Sequence, residues 1–185
     1  PNGPLTSRLQ FIKNDDEILI NSKPTGTLVC DYLLPGRNLF LLSTGTGLAP
    51  FMSIVRDPET YEKFDKIILT HTVRHQKELA YYDMLQNLNN DEIYSEVTKG
   101  KFIYFNTVTR DEWPRKGRIT KWIEENKLWN EIGVDKFDPK QDRVMICGSE
   151  DMTNELKKMF EELGSEEGST KVQGGFVIEK AFAEK

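Results

Sequence analysis

The apolar run Leu39-Phe40-Leu41-Leu42 passes through Ser43-Thr44 directly into Gly45-Thr46-Gly47, and no other feature of the chain limits its fold so sharply. Apolar residues in unbroken succession suit a strand covered on both faces, which belongs in a parallel sheet with helices on either side. The glycines let the backbone turn sharply, and Leu48-Ala49-Pro50 then opens a helix whose first turn accepts proline. The alternation recurs downstream. Residues 66–72, 101–105, 143–147 and 175–179 read as further strands. Helices are expected near 50–55, 77–88, 119–125, 127–131 and 150–163. In the last of these Met152, Leu156, Met159, Phe160 and Leu163 fall close to one face, and Gly164 stands where a C-cap is wanted. The predicted class is α/β, with a doubly wound parallel five-stranded sheet in a domain spanning 38–185.

Residues 1–37 read differently. Phe11-Ile12 and Glu17-Ile18-Leu19-Ile20 are short apolar stretches separated by Lys13-Asn14-Asp15-Asp16, which is turn chemistry. Pro24-Thr25-Gly26 and Leu34-Pro35-Gly36 add two more breakers. These pieces read as antiparallel strands, too few to close a barrel, so an incomplete antiparallel β-barrel remnant is expected to precede the sheet. The chain opens on Pro1-Asn2-Gly3-Pro4 without an initiator Met, and a truncated or processed start is expected.

Charge narrows the function. The net charge is −5, with 30% charged residues of mixed sign, which argues against a nucleic-acid partner because a phosphate backbone demands a basic face. No apolar run approaches the roughly 18–20 residues of a spanning helix, and no signal peptide is visible, so a cytoplasmic protein is expected. Cys30 and Cys147 lie far apart and are expected to be free thiols. Two Cys and two His cannot build a zinc or iron–sulfur site of usual ligand count. Redox chemistry would therefore have to come from an organic cofactor. A monomer is the simplest expectation.

The loop from Thr44 to Gly47 is the first candidate site. Gly45 and Gly47 would bring the backbone close to a pyrophosphate, with the amides of the following helix start facing it. The loop lacks a Gly-Lys-Ser/Thr ending, which argues against a phosphate-cradling ATPase loop. In dinucleotide folds an acid near the end of the second strand holds the ribose 2′-hydroxyl, whereas an arginine accommodates a 2′-phosphate. Here the strand ends Thr70-His71-Thr72-Val73-Arg74, and Arg110 and Arg118 follow the third strand. A guanidinium grips phosphate through paired hydrogen bonds, so three arginines on loops at one end of a sheet point to NADP rather than NAD. Cys147-Gly148-Ser149 closes the fourth strand. Cys147 reads either as a thiol with a lowered pKa or as a small buried residue that leaves room for a ring. His71 and His75 have no Ser or Cys partner at a recognisable spacing and read as packing or surface polarity.

Taken in order, these motifs resemble the ferredoxin–NADP reductase family, in its bacterial ferredoxin/flavodoxin reductase branch. The resemblance rests on Gly3-Pro4-Leu5-Thr6-Ser7-Arg8-Leu9, Lys23-Pro24-Thr25-Gly26-Thr27-Leu28, the segment from Leu42 to Phe51, and Thr70-His71-Thr72-Val73-Arg74. Val108-Thr109-Arg110, Gly117-Arg118-Ile119, Cys147-Gly148-Ser149 and Val177-Ile178-Glu179-Lys180-Ala181-Phe182 complete it. It implies a flavin-binding β-barrel followed by an NADP-binding α/β domain, with FAD and NADP as cofactors and ferredoxin or flavodoxin as partner. Thr6 and Ser7 would lie near the flavin pyrophosphate. Thr44, Gly45, Thr46 and Gly47 would follow the NADP pyrophosphate and nicotinamide, with Gly148 and Ser149 beside them. Arg74, Arg110 and Arg118 would hold the 2′-phosphate.

Cys147 would rest against the nicotinamide C4, while Ala181 and Phe182 would cover the flavin. The resemblance further implies hydride transfer between NADPH and FAD, then one-electron exchange with the protein carrier. The family's main flavin signature, an Arg-x-Tyr-Ser-type segment, is expected before Pro1. Two other readings stand beside this one: an NADPH-dependent flavin or quinone reductase of the same superfamily, and a fragment that only binds NADP.

Overall fold

The computed structural model describes residues 3–23 and 26–180, apart from the side chains of Thr6 and Lys180. Five parallel strands, β1 (Asn38–Thr44), β2 (Lys66–Val73), β3 (Phe102–Val108), β4 (Arg143–Gly148) and β5 (Phe176–Lys180), form one sheet in the order β3-β2-β1-β4-β5. The chain winds outward from β1 to β3, then crosses back to place β4 on the other side of β1. That reversal opens a crevice beyond the carboxyl ends of β1 and β4, the usual place for a ligand in such a sheet.

Strict two-residue alternation sorts the strand side chains onto two cores. Leu39, Leu41, Ile67, Leu69 and Met145 face one side, covered by α2 (Leu48–Ile54), α3 (Pro58–Lys63) and α4 (Tyr82–Asn87) through Phe51, Tyr61 and Leu85. Phe40, Leu42, Ile68, Phe105, Val144 and Ile146 face the other. There α6 (Ile119–Glu124), α7 (Lys127–Ile132) and α8 (Glu150–Glu162) contribute Ile123, Trp129 and Phe160. The doubly wound sheet expected from the sequence is thus present. Gly164 has φ +86° and ends α8 just after its Leu163 C-cap, with Gly164 N–H donating to the Glu161 carbonyl at 2.9 Å.

Three local readings are corrected. The helix expected over 77–88 is broken: a 3₁₀ turn (Gln76–Glu78) is followed by Tyr81 at φ +57° before α4 starts. Glu78 supplies the reason, because its carboxylate accepts from the Arg74 and His75 amides and caps a turn instead of continuing a helix. Helix α3 was not expected, although Asp57-Pro58 announces it: the Asp57 side chain accepts from the Glu59 amide and Pro58 takes the first helical position. A four-residue helix, α5 (Ser95–Thr98), also lies unforeseen before β3.

The third correction concerns the N-terminal segment. Phe11-Ile12 and residues 17–20 form no strand, and among the described residues a short helix, α1 (Thr6–Leu9), precedes them. A strand exists only with a partner, and no described residue pairs with these stretches; Leu19 and Ile20 stand fully or largely exposed. From Leu28 onward the segment joins the body of the domain, with Leu28 and Leu33 buried in the first core.

The junction into β1 is held by Asp142 and Arg143. Asp142 is fully buried, accepts from Asn38 Nδ2 at 2.9 Å and faces the Arg37 guanidinium at 3.5 Å. The Arg143 guanidinium donates to the carbonyls of Leu34 (3.0 Å), Pro35 (2.5 Å), Pro139 (3.1 Å), Lys140 (3.3 Å) and Asp142 (2.5 Å).

His71, at the heart of β2, has no exposed surface; its Nδ1 lies 3.4 Å from the Tyr104 hydroxyl and its Nε2 has no partner. Burial pushes its pKa down to about 4, outweighing a weaker backbone contact with Gly45. An unfolded His71 takes up a proton near pH 6.5, whereas the folded one resists until about pH 4. Stability from this residue is therefore complete above pH 6.5 and lost as pH falls, by roughly 3 kcal/mol at pH 4. Urea midpoints measured from pH 7 to pH 4 should fall less for His71→Gln than for the parent chain.

Candidate functional site

An open cleft of about 910 Å³ lies beyond the carboxyl ends of β1, β2, β3 and β4. Its floor is the loop after β1, with Thr44, Gly45 and Thr46 exposed to it, and Ser149 enters from the β4 side. Arg74, Arg110 and Arg118 form the far wall. Seven of the residues singled out in the sequence thus meet in one cavity.

The two glycines of the first loop do different work. Gly45 has φ +52°, and a Cβ there would meet nothing within 4 Å, so its backbone lies bare toward the cleft. Gly47 has an ordinary helical φ of −61°. A Cβ on it would lie 2.1 Å from the Cys147 carbonyl oxygen and 2.8 Å from Gly148 Cα. Gly148 answers in kind, since a Cβ there would lie 2.1 Å from Thr44 Oγ1. Gly47 and Gly148 therefore let the β1 and β4 loops press together, and Gly45 alone leaves backbone open to a ligand. The contact is stitched by the Ser149 amide, which donates to Thr44 Oγ1 at 2.9 Å. Just below, the Ser43 hydroxyl donates to the Thr70 carbonyl at 2.6 Å, closing the sheet under the loop.

Cys147 is buried in the first core, directly beside Ser43 in register. Burial, helped by the negative charge of Glu179, pushes its thiol pKa up to about 11. Of the two readings left open by the sequence, this favours the small buried residue over the activated thiol. Cys30 is likewise a free thiol, raised to about 11 by burial.

The arginine wall is built on two adjacent loops. The Arg110 amide donates to the Arg74 carbonyl at 2.9 Å, and the Thr109 amide to the Val73 carbonyl at 3.0 Å, so the sheet ladder continues past the strand ends. Arg118 precedes α6 and meets Glu155 of α8, Nη1 to Oε1 at 3.3 Å. Both of these side chains are well exposed, and so weak a pair yields readily to a ligand phosphate.

Sequence reasoning missed Thr72, Thr109 and Thr120, which also line the cleft, and Tyr81, whose strained backbone holds it at the rim. For Thr72 and Thr109 the available signal was a threonine at or next to the carboxyl ends of β2 and β3, whereas Thr120 lies in α6. Among residues assigned to the flavin, Ser7 lies in α1, nothing is described of the Thr6 side chain, and Ala181 and Phe182 lie outside the described residues. Among the described residues no cluster of His, Cys, Asp or Glu could hold a metal, and no helix is long and apolar enough to cross a membrane.

Comparison with known proteins gives a consistent answer. Residues 41–158 match the oxidoreductase NAD-binding domain family. The chain is 47% identical to a ferredoxin–NADP reductase of Azotobacter vinelandii, over all of this chain and 72% of that protein. It is 44% identical to a flavodoxin/ferredoxin–NADP reductase of Rhodobacter capsulatus, over 98% of this chain and 68% of that one. Among solved structures, a ferredoxin NADP+ reductase from Neisseria gonorrhoeae with bound FAD and NADP superposes with a TM-score of 0.83 at 26% identity. That match covers 98% of this chain and 71% of the other.

The glycine geometry separates two substitutions that look alike on paper. Gly47→Ala drives a methyl into backbone that cannot move aside and should cost about 3 kcal/mol of unfolding free energy. Gly45→Ala carries only the strain of a positive φ, about 1 kcal/mol. Urea denaturation of the two variants against the parent checks the order.

Proposed function

The chain belongs to the ferredoxin–NADP reductase family, and we propose that its cleft holds NADP(H), with the 2′-phosphate against Arg74, Arg110 and Arg118 and the pyrophosphate over Gly45. The observation that carries this reading is the convergence of three arginines, drawn from the loops after β2 and β3, on the wall opposite a bare glycine backbone. A dinucleotide lacking the 2′-phosphate would forgo the charge-assisted hydrogen bonds these guanidinium groups can donate.

The fit is physical at each point. Three guanidinium groups suit a dianionic phosphate, each able to donate two hydrogen bonds in one plane. Thr44 Oγ1 is occupied by the Ser149 amide, so Thr46 and the Gly45 backbone are left to meet the pyrophosphate. Gly47 and Gly148 serve by absence, bringing the β1 and β4 loops into contact beneath the ligand. Cys147 stays a neutral thiol at the base of this contact, filling space beside Ser43 without offering charge. As the catalytic-centre residue we assign Cys147 to steric positioning of the nicotinamide.

The activity is that of a ferredoxin–NADP reductase, an FAD-dependent NADP oxidoreductase. When bound, NADPH and FAD supply hydride transfer followed by one-electron exchange with ferredoxin or flavodoxin. The protein contributes position and electrostatics. We assign residues 1–37 to the flavin-binding domain and 38–185 to the NADP domain, with Thr6 and Ser7 near the flavin phosphates and Ala181 and Phe182 over the flavin. A monomeric cytoplasmic enzyme without a nucleic-acid partner completes the proposal.

Replacing Arg74 or Arg110 with Ala should weaken NADPH binding by about 1–3 kcal/mol each and leave NADH binding nearly unchanged. Titration calorimetry with both nucleotides measures the difference; equal weakening of the two would refute the 2′-phosphate assignment. Incubating the chain with FAD, removing unbound flavin and recording the visible spectrum tests the flavin half. A retained flavin band that NADPH bleaches much faster than NADH would mean that this chain assembles a working flavin site by itself, and no retained band would leave the chain an NADP-binding unit only.

A further inference from the structure

Behind the arginine wall lies a second polar cluster that touches neither the cleft floor nor the cores. The Asp111 carboxylate reaches from the loop after β3 to the loop after β2, where Oδ1 accepts from His75 Nδ1 at 2.8 Å and Oδ2 from the Gln76 amide at 2.8 Å. Gln76 returns the contact, its Nε2 donating to the Glu112 carbonyl at 2.9 Å. On the near side the Arg110 amide donates to the Arg74 carbonyl, and Glu78 caps the Arg74 and His75 amides.

We propose that Asp111 is a positioning residue for recognition of a 2′-phosphorylated adenine nucleotide: by clasping His75 and Gln76 it fixes Arg74 and Arg110 at the spacing that one phosphate can bridge. This rests on the cleft assignment made above and extends it to a residue outside the cleft.

The placement is otherwise costly. A carboxylate one residue from Arg110 competes with a phosphate for that guanidinium unless its oxygens are already engaged. Both are engaged, one by the imidazole and one by a backbone N–H. Those same two hydrogen bonds hold the Asp111 carboxyl below the usual carboxylate range, so it stays ionised and keeps accepting. Loops beyond strand ends are the mobile part of such a fold, and discrimination between ligands that differ by one phosphate needs the two arginines held still before the ligand arrives. The sheet ladder stops at Thr109 and Arg110, so beyond it the clasp of Asp111 takes over.

The test is binding of adenosine 2′,5′-bisphosphate and of ADP to the full chain, by calorimetry, for the parent, Asp111→Ala, Asp111→Asn and Glu112→Ala. The parent should prefer the 2′-phosphorylated probe. Asp111→Ala should lose about tenfold in affinity for that probe and keep its affinity for ADP, as expected for lost charge-assisted hydrogen bonds acting through the arginines. Asp111→Asn retains an acceptor for the Gln76 amide and should fall between. Glu112→Ala removes the same charge next door, where the side chain pairs with Lys116 in solvent, and should not reproduce the loss. Unchanged binding by Asp111→Ala, or an equal loss for both probes, overturns the positioning role while leaving the cleft assignment intact. A parent chain with no preference between the probes overturns the cleft assignment and the clasp together. Should Asp111→Ala not fold, Asp111→Asn against Glu112→Ala decides the question alone.

Discussion

Two backbones meet here at a distance no side chain would permit. The loop leaving β1 and the loop leaving β4 touch through Gly47 and Gly148, with the Cys147 carbonyl where a Cβ of Gly47 would be and Thr44 Oγ1 where a Cβ of Gly148 would be. Everything functional is arranged around that contact. Because β1 and β4 are neighbours at the point where the sheet reverses direction, their loops diverge above it and leave the crevice. Because the loops touch below, the crevice has a solid floor on which Gly45 can lie exposed.

The sheet then acts as a ruler. Parallel register sets Ser43, His71 and Asn106 side by side, with Cys147 on the other flank of Ser43, so the four strands end at nearly the same level. Loops that start level can be joined by short hydrogen bonds, as Thr109 to Val73 and Arg110 to Arg74 show. The arginines gain their common direction from strand register first and from loop contacts second. A buried, neutral His71 in the same row costs the fold a polar atom without a partner, a cost repaid only while it stays uncharged.

Much of this was legible in the chain. Unbroken apolar runs gave away strands buried on both faces, and the glycine loop after the first of them located the crevice. Arg74, Arg110 and Arg118 were legible because each stands just past a strand or before a helix. What escaped had causes that span the fold. The division of labour between Gly45 and Gly47 depends on what β4 presents far later in the chain, at Cys147 and Gly148. The break before α4 comes from Glu78 turning back on Arg74, which helical periodicity over 77–88 conceals. The expected strands of the N-terminal segment failed for want of a partner, since apolar composition alone cannot supply the second half of a ladder. Asp111 and His75 sit in separate loops, and nothing in either loop names the other.

Arg143 gives the molecule a property of a different kind. Its guanidinium gathers carbonyls from both sides of the entry into β1, Leu34 and Pro35 on one and Pro139, Lys140 and Asp142 on the other. The Leu34 amide is bound in turn to the Gly174 carbonyl, and the Gly174 amide to the Tyr32 carbonyl. A connector bound this closely transmits torque instead of absorbing it. The stretch from Tyr32 to Pro35 therefore turns with the sheet as one stiff axle, and a force applied at the entry to β1 is felt at β4 and at the approach to β5 together.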